Sequence, residues 1–231
     1  MDRKKFIKKS ILGLGTIAAV PTIISCSSND DPIDNGTNNS GTCKSSPSET
    51  AGPFPIKTPA DLVKENIVGS KKGIALLIKF VIQNTNNNCN PLAGVHVDLW
   101  HCDSRGNYSE YSGQLDGDFT SEHFLRGRQT TNAKGEASFV SIYPGWYPGR
   151  APHLHLEIKN ASGKSLLVTQ VGFPEDISST VYATSEYKGK FDTSNASDNE
   201  FRDSLKDNLA DSVTGDTKNG YTLTKVIKVK A

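Results

Sequence analysis

Side chains able to bind a metal or move protons are densest in Tyr143-Pro144-Gly145-Trp146-Tyr147-Pro148-Gly149-Arg150-Ala151-Pro152-His153-Leu154-His155, which runs on into Leu156-Glu157-Ile158. Side chains two residues apart on a strand share a face, so His153 and His155 present both imidazoles to one point while Leu154 faces away and Leu156 and Ile158 continue the apolar side. Taken alone, such a pair also describes two surface histidines on a metal-free amphipathic strand. Tyr147, in a proline-braced turn just upstream, can approach the same point, where a metal would favour its phenolate form. Phenolate oxygen is a hard ligand that suits ferric iron, whereas zinc more often takes Cys or carboxylate beside His, and the Cys nearest in pattern is Cys102. Two imidazoles with two phenolates would leave a small positive charge on Fe(III) and open coordination positions, as a catalytic site requires.

The run Trp146-Tyr147-Pro148-Gly149-Arg150-x-Pro152-His153-x-His155 resembles the iron-binding signature of the intradiol ring-cleavage dioxygenases, the family of protocatechuate 3,4-dioxygenase and catechol 1,2-dioxygenase. Three further blocks resemble it in the same order: Ser48-Glu49-Thr50-Ala51-Gly52-Pro53-Phe54, Leu99-Trp100-His101-Cys102-Asp103-x-x-Gly106-Asn107-Tyr108-Ser109, and Phe124-Leu125-Arg126-Gly127-x-Gln129-Thr130-Thr131. The resemblance implies one non-haem Fe(III) per chain, held by Tyr108 as equatorial phenolate, Tyr147 as axial phenolate, and His153 and His155. It further implies Arg150 as an active-site cation, Gln170 as a residue lining the site, Tyr147 as a ligand that leaves the metal and takes a proton, and Thr50 and Gly52 as pocket-wall contacts. The implied reaction uses O2 to cleave a small aromatic diol of the catechol class between its two hydroxyl-bearing carbons, giving a cis,cis-muconate-type product. Trp100, Tyr111 and Tyr143 read as packing residues.

The elements needed to carry these residues are strands. Ile74 to Gln83, Gly94 to His101, Glu136 to Tyr143, His153 to Lys159, Leu166 to Val171 and Tyr221 to Val229 are β-rich and mostly bounded by Gly, Asn, Asp or Pro. In the last of these Tyr221, Leu223, Ile227 and Val229 share a face that Lys225 interrupts. The expected fold is all-β, an antiparallel β-sandwich with long loops, occupying residues 42–231. Helix is expected only over Asn199 to Ala210, with Asp198 as N-cap, and over Ala60 to Glu65. The polar stretch Ser178 to Gly220 is expected to shape a pocket rather than a core.

Residues 1–25 read as a lipoprotein signal peptide: Arg3, Lys4, Lys5, Lys8 and Lys9, then an apolar run from Ile11 to Ile24 that is shorter than the roughly 20 residues of a membrane-spanning helix. Ile23-Ile24-Ser25-Cys26 resembles a lipobox, which makes Cys26 the lipidated first residue of an exported chain anchored at the periplasmic or cell-surface side of a membrane. Arg3-Lys4 resembles a twin-arginine signal with one Arg replaced, which leaves the export route open. Residues 26–41, mostly Ser, Asn, Asp and Gly, read as a disordered tether. An exported compartment permits disulfides. A strand over Gly94 to His101 would hold Cys89 and Cys102 too far apart to bond, so Cys43 belongs to any bond that forms, with Cys89 the preferred partner.

The chain has 231 residues, with 26 Lys and Arg against 25 Asp and Glu, so no basic face advertises nucleic acid. Small molecules are the expected partners, and an oligomer would have to use the sandwich itself. Two other functions compete. Asn90-Pro91-Leu92-Ala93-Gly94-Val95-His96-Val97 resembles the opening of non-catalytic β-sandwich modules on surface proteins, and a zinc-dependent hydrolase would keep a metal but change the chemistry. Metal content separates the three readings.

Overall fold

The computed structural model describes residues 43–231. The predicted signal peptide, Cys26 and the tether therefore lie outside the described residues. Among the described residues nine strands form two sheets: β1 (Ala75–Asn84), β2 (Asn90–Pro91), β3 (His96–Trp100), β4 (Arg126–Thr130), β5 (Glu136–Ile142), β6 (His153–Lys159), β7 (Ser165–Gly172), β8 (Ser212–Asp216) and β9 (Gly220–Val229). One sheet has the order β2-β1-β9-β8, with β5 also paired to β1, and the other β4-β3-β6-β7. Among the described residues the α-helices are α1 (Glu175–Tyr182) and α2 (Leu205–Asn208).

Alternation along the strands builds the core. Ile78, Phe80, Ile82, Phe139, Leu223 and Ile227 of the first sheet meet Val97, Leu99, Leu154, Leu156, Ile158 and Val171 of the second, all of them buried. Removing that much apolar surface from water is the main force holding the sheets face to face. Lys225, the polar residue on the inner face of β9, survives there because its ammonium donates to Leu209 O at 2.7 Å and to Asp211 Oδ1 at 2.9 Å.

Several expectations are corrected. The sandwich is not wholly antiparallel: β1 and β9 pair in parallel from Leu76↔Tyr221 to Asn84↔Val229. Parallel neighbours need a long connection, and nearly the whole domain lies between these two. The helix expected over Asn199 to Ala210 shrinks to α2, after a short turn at Asn195–Ser197. Asp198 heads only a turn, accepting from Glu200 N at 2.9 Å, and no α-helix follows; its carboxylate is otherwise committed to Arg150 and to the Ala151 amide. Ala60 to Glu65 contains only a three-residue turn, Pro59–Asp61, then runs extended beside β4 through a Val63↔Arg128 bridge. α1 lies where a loop was expected; Val181 and Tyr182 bury one face of it.

Cys43 and Cys89 are joined by a disulfide, which ties the start of the domain to the turn after β1. Beside the site, His101 is fully buried, with Nδ1 donating to Cys102 O at 2.8 Å and Nε2 accepting from Ser141 Oγ at 2.7 Å. Burial pushes its pKa down to about 4.

Two outcomes are expected. Replacing both Cys43 and Cys89 by Ser should lower the unfolding free energy by about 2–4 kcal/mol, read from guanidinium denaturation. His101 is neutral when folded and basic when unfolded, so its stabilisation is complete above pH 6.5 and drains away as pH falls from 6.5 to about 4. The loss is on the order of 3 kcal/mol, and His101→Gln should flatten that limb of a stability-against-pH curve measured on metal-free protein.

Candidate metal centre

The strand register alone assembles one row of the site. Across the second sheet, Arg126 pairs with Trp100, Trp100 with His155, and His155 with Gln170. Because Leu154 and Leu156 point into the core, this row and His153 occupy the sheet's outer face. Trp100 lies flat against the His155 ring, with centroids 5.3 Å apart and planes 2° from parallel. Trp100 is thus both a packing residue and one wall of the site.

Two loops bring in the tyrosines. After β3 the chain turns at Asp103, whose Oδ1 accepts from Arg105 N at 3.0 Å and Asn107 N at 2.9 Å, with Lys71 paired to its other oxygen at 3.0 Å. This turn aims Tyr108 back over the sheet. The loop between β5 and β6 carries Tyr147, and Gly145 lets it press against the first loop, donating its N–H to Asp103 O at 3.1 Å. A Cβ at Gly145 would collide with Asp103 O and Ser104 backbone atoms. Ring centroids of Tyr108 and Tyr147 are 5.8 Å apart, Tyr147 and His153 5.6 Å, Tyr108 and His155 6.2 Å, and His153 and His155 4.6 Å.

The N-terminal segment crosses this cluster as a strap. Gly52 sits at φ +66, and a Cβ there would come within 2.8 Å of His155 Cε1 and 3.1 Å of its Nε2, so only glycine allows so close an approach to the imidazole. Phe54 packs on Tyr108 with centroids 5.0 Å apart. Buried Arg126 holds the strap down, donating to Phe54 O at 3.0 Å and to Ser109 O at 2.6 Å. Glu110, in left-handed backbone at φ 68, accepts from Lys57 N at 2.8 Å.

Protonation within the cluster suits a metal. His153 Nδ1 donates to Ala151 O at 2.6 Å, which leaves its Nε2 lone pair pointing into the site, 2.9 Å from His155 Nε2. Burial, reinforced by the Arg150 charge, pushes the His153 pKa down; burial, His153 and Arg150 do the same to His155, so both rings are neutral. Tyr108 is fully buried and its Oη has no hydrogen-bond partner. Burial raises the Tyr108 pKa well above its usual value, and that of Tyr147 too, although Arg150 opposes the latter shift. A phenol left without a partner costs about 1–3 kcal/mol, which a ligand at that point would offset. Among the described residues no three His, Cys, Asp or Glu groups gather to hold a metal. A metal bound between His153 and His155 would find its further protein ligands in Tyr108 and Tyr147, a donor set that would fit Fe(III) better than zinc. Cys102 is buried and its thiol pKa is pushed up, so it offers no thiolate.

Around these four groups runs a hydrogen-bonded arc. Arg150 Nη1 donates to Tyr147 Oη at 3.2 Å and Nη2 to Gln170 Oε1 at 2.5 Å. Gln170 Nε2 donates to Thr50 O at 2.9 Å, and Thr50 Oγ1 to Glu200 Oε2 at 2.8 Å. Burial opposes the Arg150 charge, but Tyr147, Asp198 and Glu200 outweigh it and its pKa is raised. Thr50, Gly52, Tyr108, Tyr147, Arg150, His153, His155 and Gln170 thus meet in one place, whereas Tyr143 packs in the core between the sheets. Asp198, read from sequence only as a helix N-cap, joins the site with Glu200 and Phe201 of the expected helix; the one signal for this was that they lie in a stretch expected to shape a pocket.

Known proteins resemble this chain in sequence and in fold. A family model described as Dioxygenase matches residues 53–204. The protocatechuate 3,4-dioxygenase beta chain of Burkholderia cepacia is 32% identical over 93 residues, covering 37% of this chain and 40% of that one. Hydroxyquinol 1,2-dioxygenase of Rhizobium sp. is 29% identical over 150 residues, covering 57% of this chain and 48% of that one. The chain thus spans less than half the length of either relative. An intradiol ring-cleavage dioxygenase from Tetranychus urticae superposes with a TM-score of 0.72 at 27% identity, covering 81% of this chain and 95% of that one. With a family match over most of the domain and a histidine–tyrosine centre of this design, the chain belongs to the intradiol ring-cleavage dioxygenase family.

Proposed function

We propose that the chain is a non-haem Fe(III)-dependent intradiol dioxygenase that cleaves a catechol-type aromatic diol with O2 to a cis,cis-muconate-type product. The observation that carries this reading is the convergence of two neutral imidazoles, 2.9 Å apart at Nε2, with the partnerless Oη of Tyr108 and the ring of Tyr147. His153, His155, Tyr108 and Tyr147 would hold one iron per chain. When bound, the ferric ion supplies Lewis acidity and a template for the diol and dioxygen.

The chain's own residues account for the proton and charge handling. Tyr147 Oη, the less buried of the two phenols and already in contact with Arg150 Nη1, is the atom that takes a proton from the entering diol. Arg150 stays cationic and opposes negative charge developing on the diol oxygens and ring. Gln170 fixes the other Nη of Arg150 and anchors the strap at Thr50 O, so the wall formed by Thr50 and Gly52 stays closed over His155 and excludes water.

The signal-like residues 1–25 and the lipobox at Ile23 to Cys26 support an exported enzyme held to a membrane by acyl chains on Cys26. The disulfide between Cys43 and Cys89 accords with an oxidising compartment.

Protein purified without added metal should contain iron, absorb visible light through tyrosinate-to-iron charge transfer, and take up oxygen with members of a catechol panel to give ring-opened products two oxygen atoms heavier. Tyr108→Phe or His153→Ala should remove both colour and activity; a colourless, fully active wild-type protein would refute the site. Cys26→Ser should abolish incorporation of labelled fatty acid and shift the protein from the membrane to the soluble fraction. Unchanged labelling would overturn the anchor.

A further inference from the structure

The Asp198 carboxylate is fully buried and makes four contacts, none of them to solvent. It accepts from Arg150 Nε, at 2.9 Å to Oδ2 and 3.2 Å to Oδ1, from Ala151 N at 2.7 Å, and from Glu200 N at 2.9 Å. A buried charge persists only when paired and hydrogen-bonded. Arg150 is its counter-ion.

The contacts lead to two different groups of the site. Gripping Nε fixes the plane of the guanidinium, a rigid fork, so its two Nη groups fall on Tyr147 Oη and Gln170 Oε1 and on nothing else. Gripping Ala151 N fixes a peptide unit next to Ala151 O, which accepts from His153 Nδ1 at 2.6 Å and thereby sets the tautomer and tilt of that ring. Three residues further on, Phe201 closes the same corner, 6.5 Å from the His153 ring and 5.8 Å from the Arg150 guanidinium carbon.

We propose that Asp198 is the positioning residue of the centre: through Arg150 and Ala151 it fixes Tyr147, Gln170 and His153 in the geometry that catalysis needs, without touching substrate itself. This rests on the dioxygenase reading for its activity consequences, but not for its structural ones. Asp198→Asn leaves one uncharged oxygen for Ala151 N and Arg150 Nε, which share Oδ2, and puts an amide donor where Oδ1 accepts from Arg150 Nε and Glu200 N, so the hold on the fork loses its charge and one of its two oxygens while the backbone grip at Ala151 remains.

The test has two arms. In metal-free protein, 15N NMR should show a slowly exchanging Arg150 Nε–H in wild type that loses protection in D198N; unchanged protection overturns the proposal whether or not the protein cleaves diols. In iron-loaded protein, D198N should lower kcat about 10- to 100-fold with little change in KM. Arg150→Gln should mask that effect, the double variant matching R150Q within about twofold. A wild-type kcat in D198N, or losses that multiply in the double variant, overturns the proposal. Should D198N alone fail to fold, the comparison of R150Q with the charge-matched double variant still decides. If wild-type protein cleaves no diol, the dioxygenase reading fails and the NMR arm stands alone.

Discussion

Two imidazoles that must both stay neutral, set with their Nε2 atoms 2.9 Å apart on the outer face of a sheet, impose a demand on the whole chain. A sheet face is ordinarily half-solvated, and there the histidines would protonate one at a time near neutral pH. Neutrality has to be enforced by excluding water, so the outer face needs a roof. The strap at residues 50–57, the two tyrosine loops and the turn at 195–201 are that roof. Each is irregular and pinned by polar contacts, and the strap and tyrosine loops also close a second, smaller apolar cluster in which Ala51, Phe54, Ile56, Tyr108 and Tyr147 pack with Trp100.

That division of labour explains why charged residues are buried in this half of the molecule and scarce between the sheets. Asp98 joins Arg128 and Lys159 on the row next to the histidines, at 2.5 Å and 3.3 Å. Arg126 ties Phe54 and Ser109, and Asp103 takes Lys71. Paired charges in low dielectric are directional where apolar contacts are not, and breaking one partner is far costlier than replacing both. The core sets where the sheet lies. The buried ion pairs set where the roof lies on it, to the tolerance that ligand geometry demands.

Much of this was legible in the sequence because it depends on period and spacing. His153 and His155 share a face by strand period alone, and the strand His153 to Lys159 has the extent expected for it. Strands without alternation were not legible. β4, Arg-Gly-Arg-Gln-Thr, is stabilised by pairing with β3 and by salt links across the row, and β8 has one apolar residue and exists as the partner of β9. Asp198 shows the deeper reason. Its type and position suggested a helix cap, a local role, of which one bond from Glu200 N remains, while a tertiary partner 48 residues away holds both carboxylate oxygens. Local propensity gives way where a buried cation is in need of a counter-ion.

The disulfide adds a mechanical property. Cys43 lies ahead of the strap, and between them the Ser46 and Glu49 amides are bonded to Lys228 O and Val168 O. A force applied to the chain anywhere before residue 43 is therefore carried through sulfur into the turn after β1, at the heart of the larger sheet. It bypasses the stretch that holds Thr50 and Gly52 against His155. The covalent link acts as a strain relief, of the kind fitted where a cable enters an instrument, so that tugging on the lead does not disturb the contacts inside.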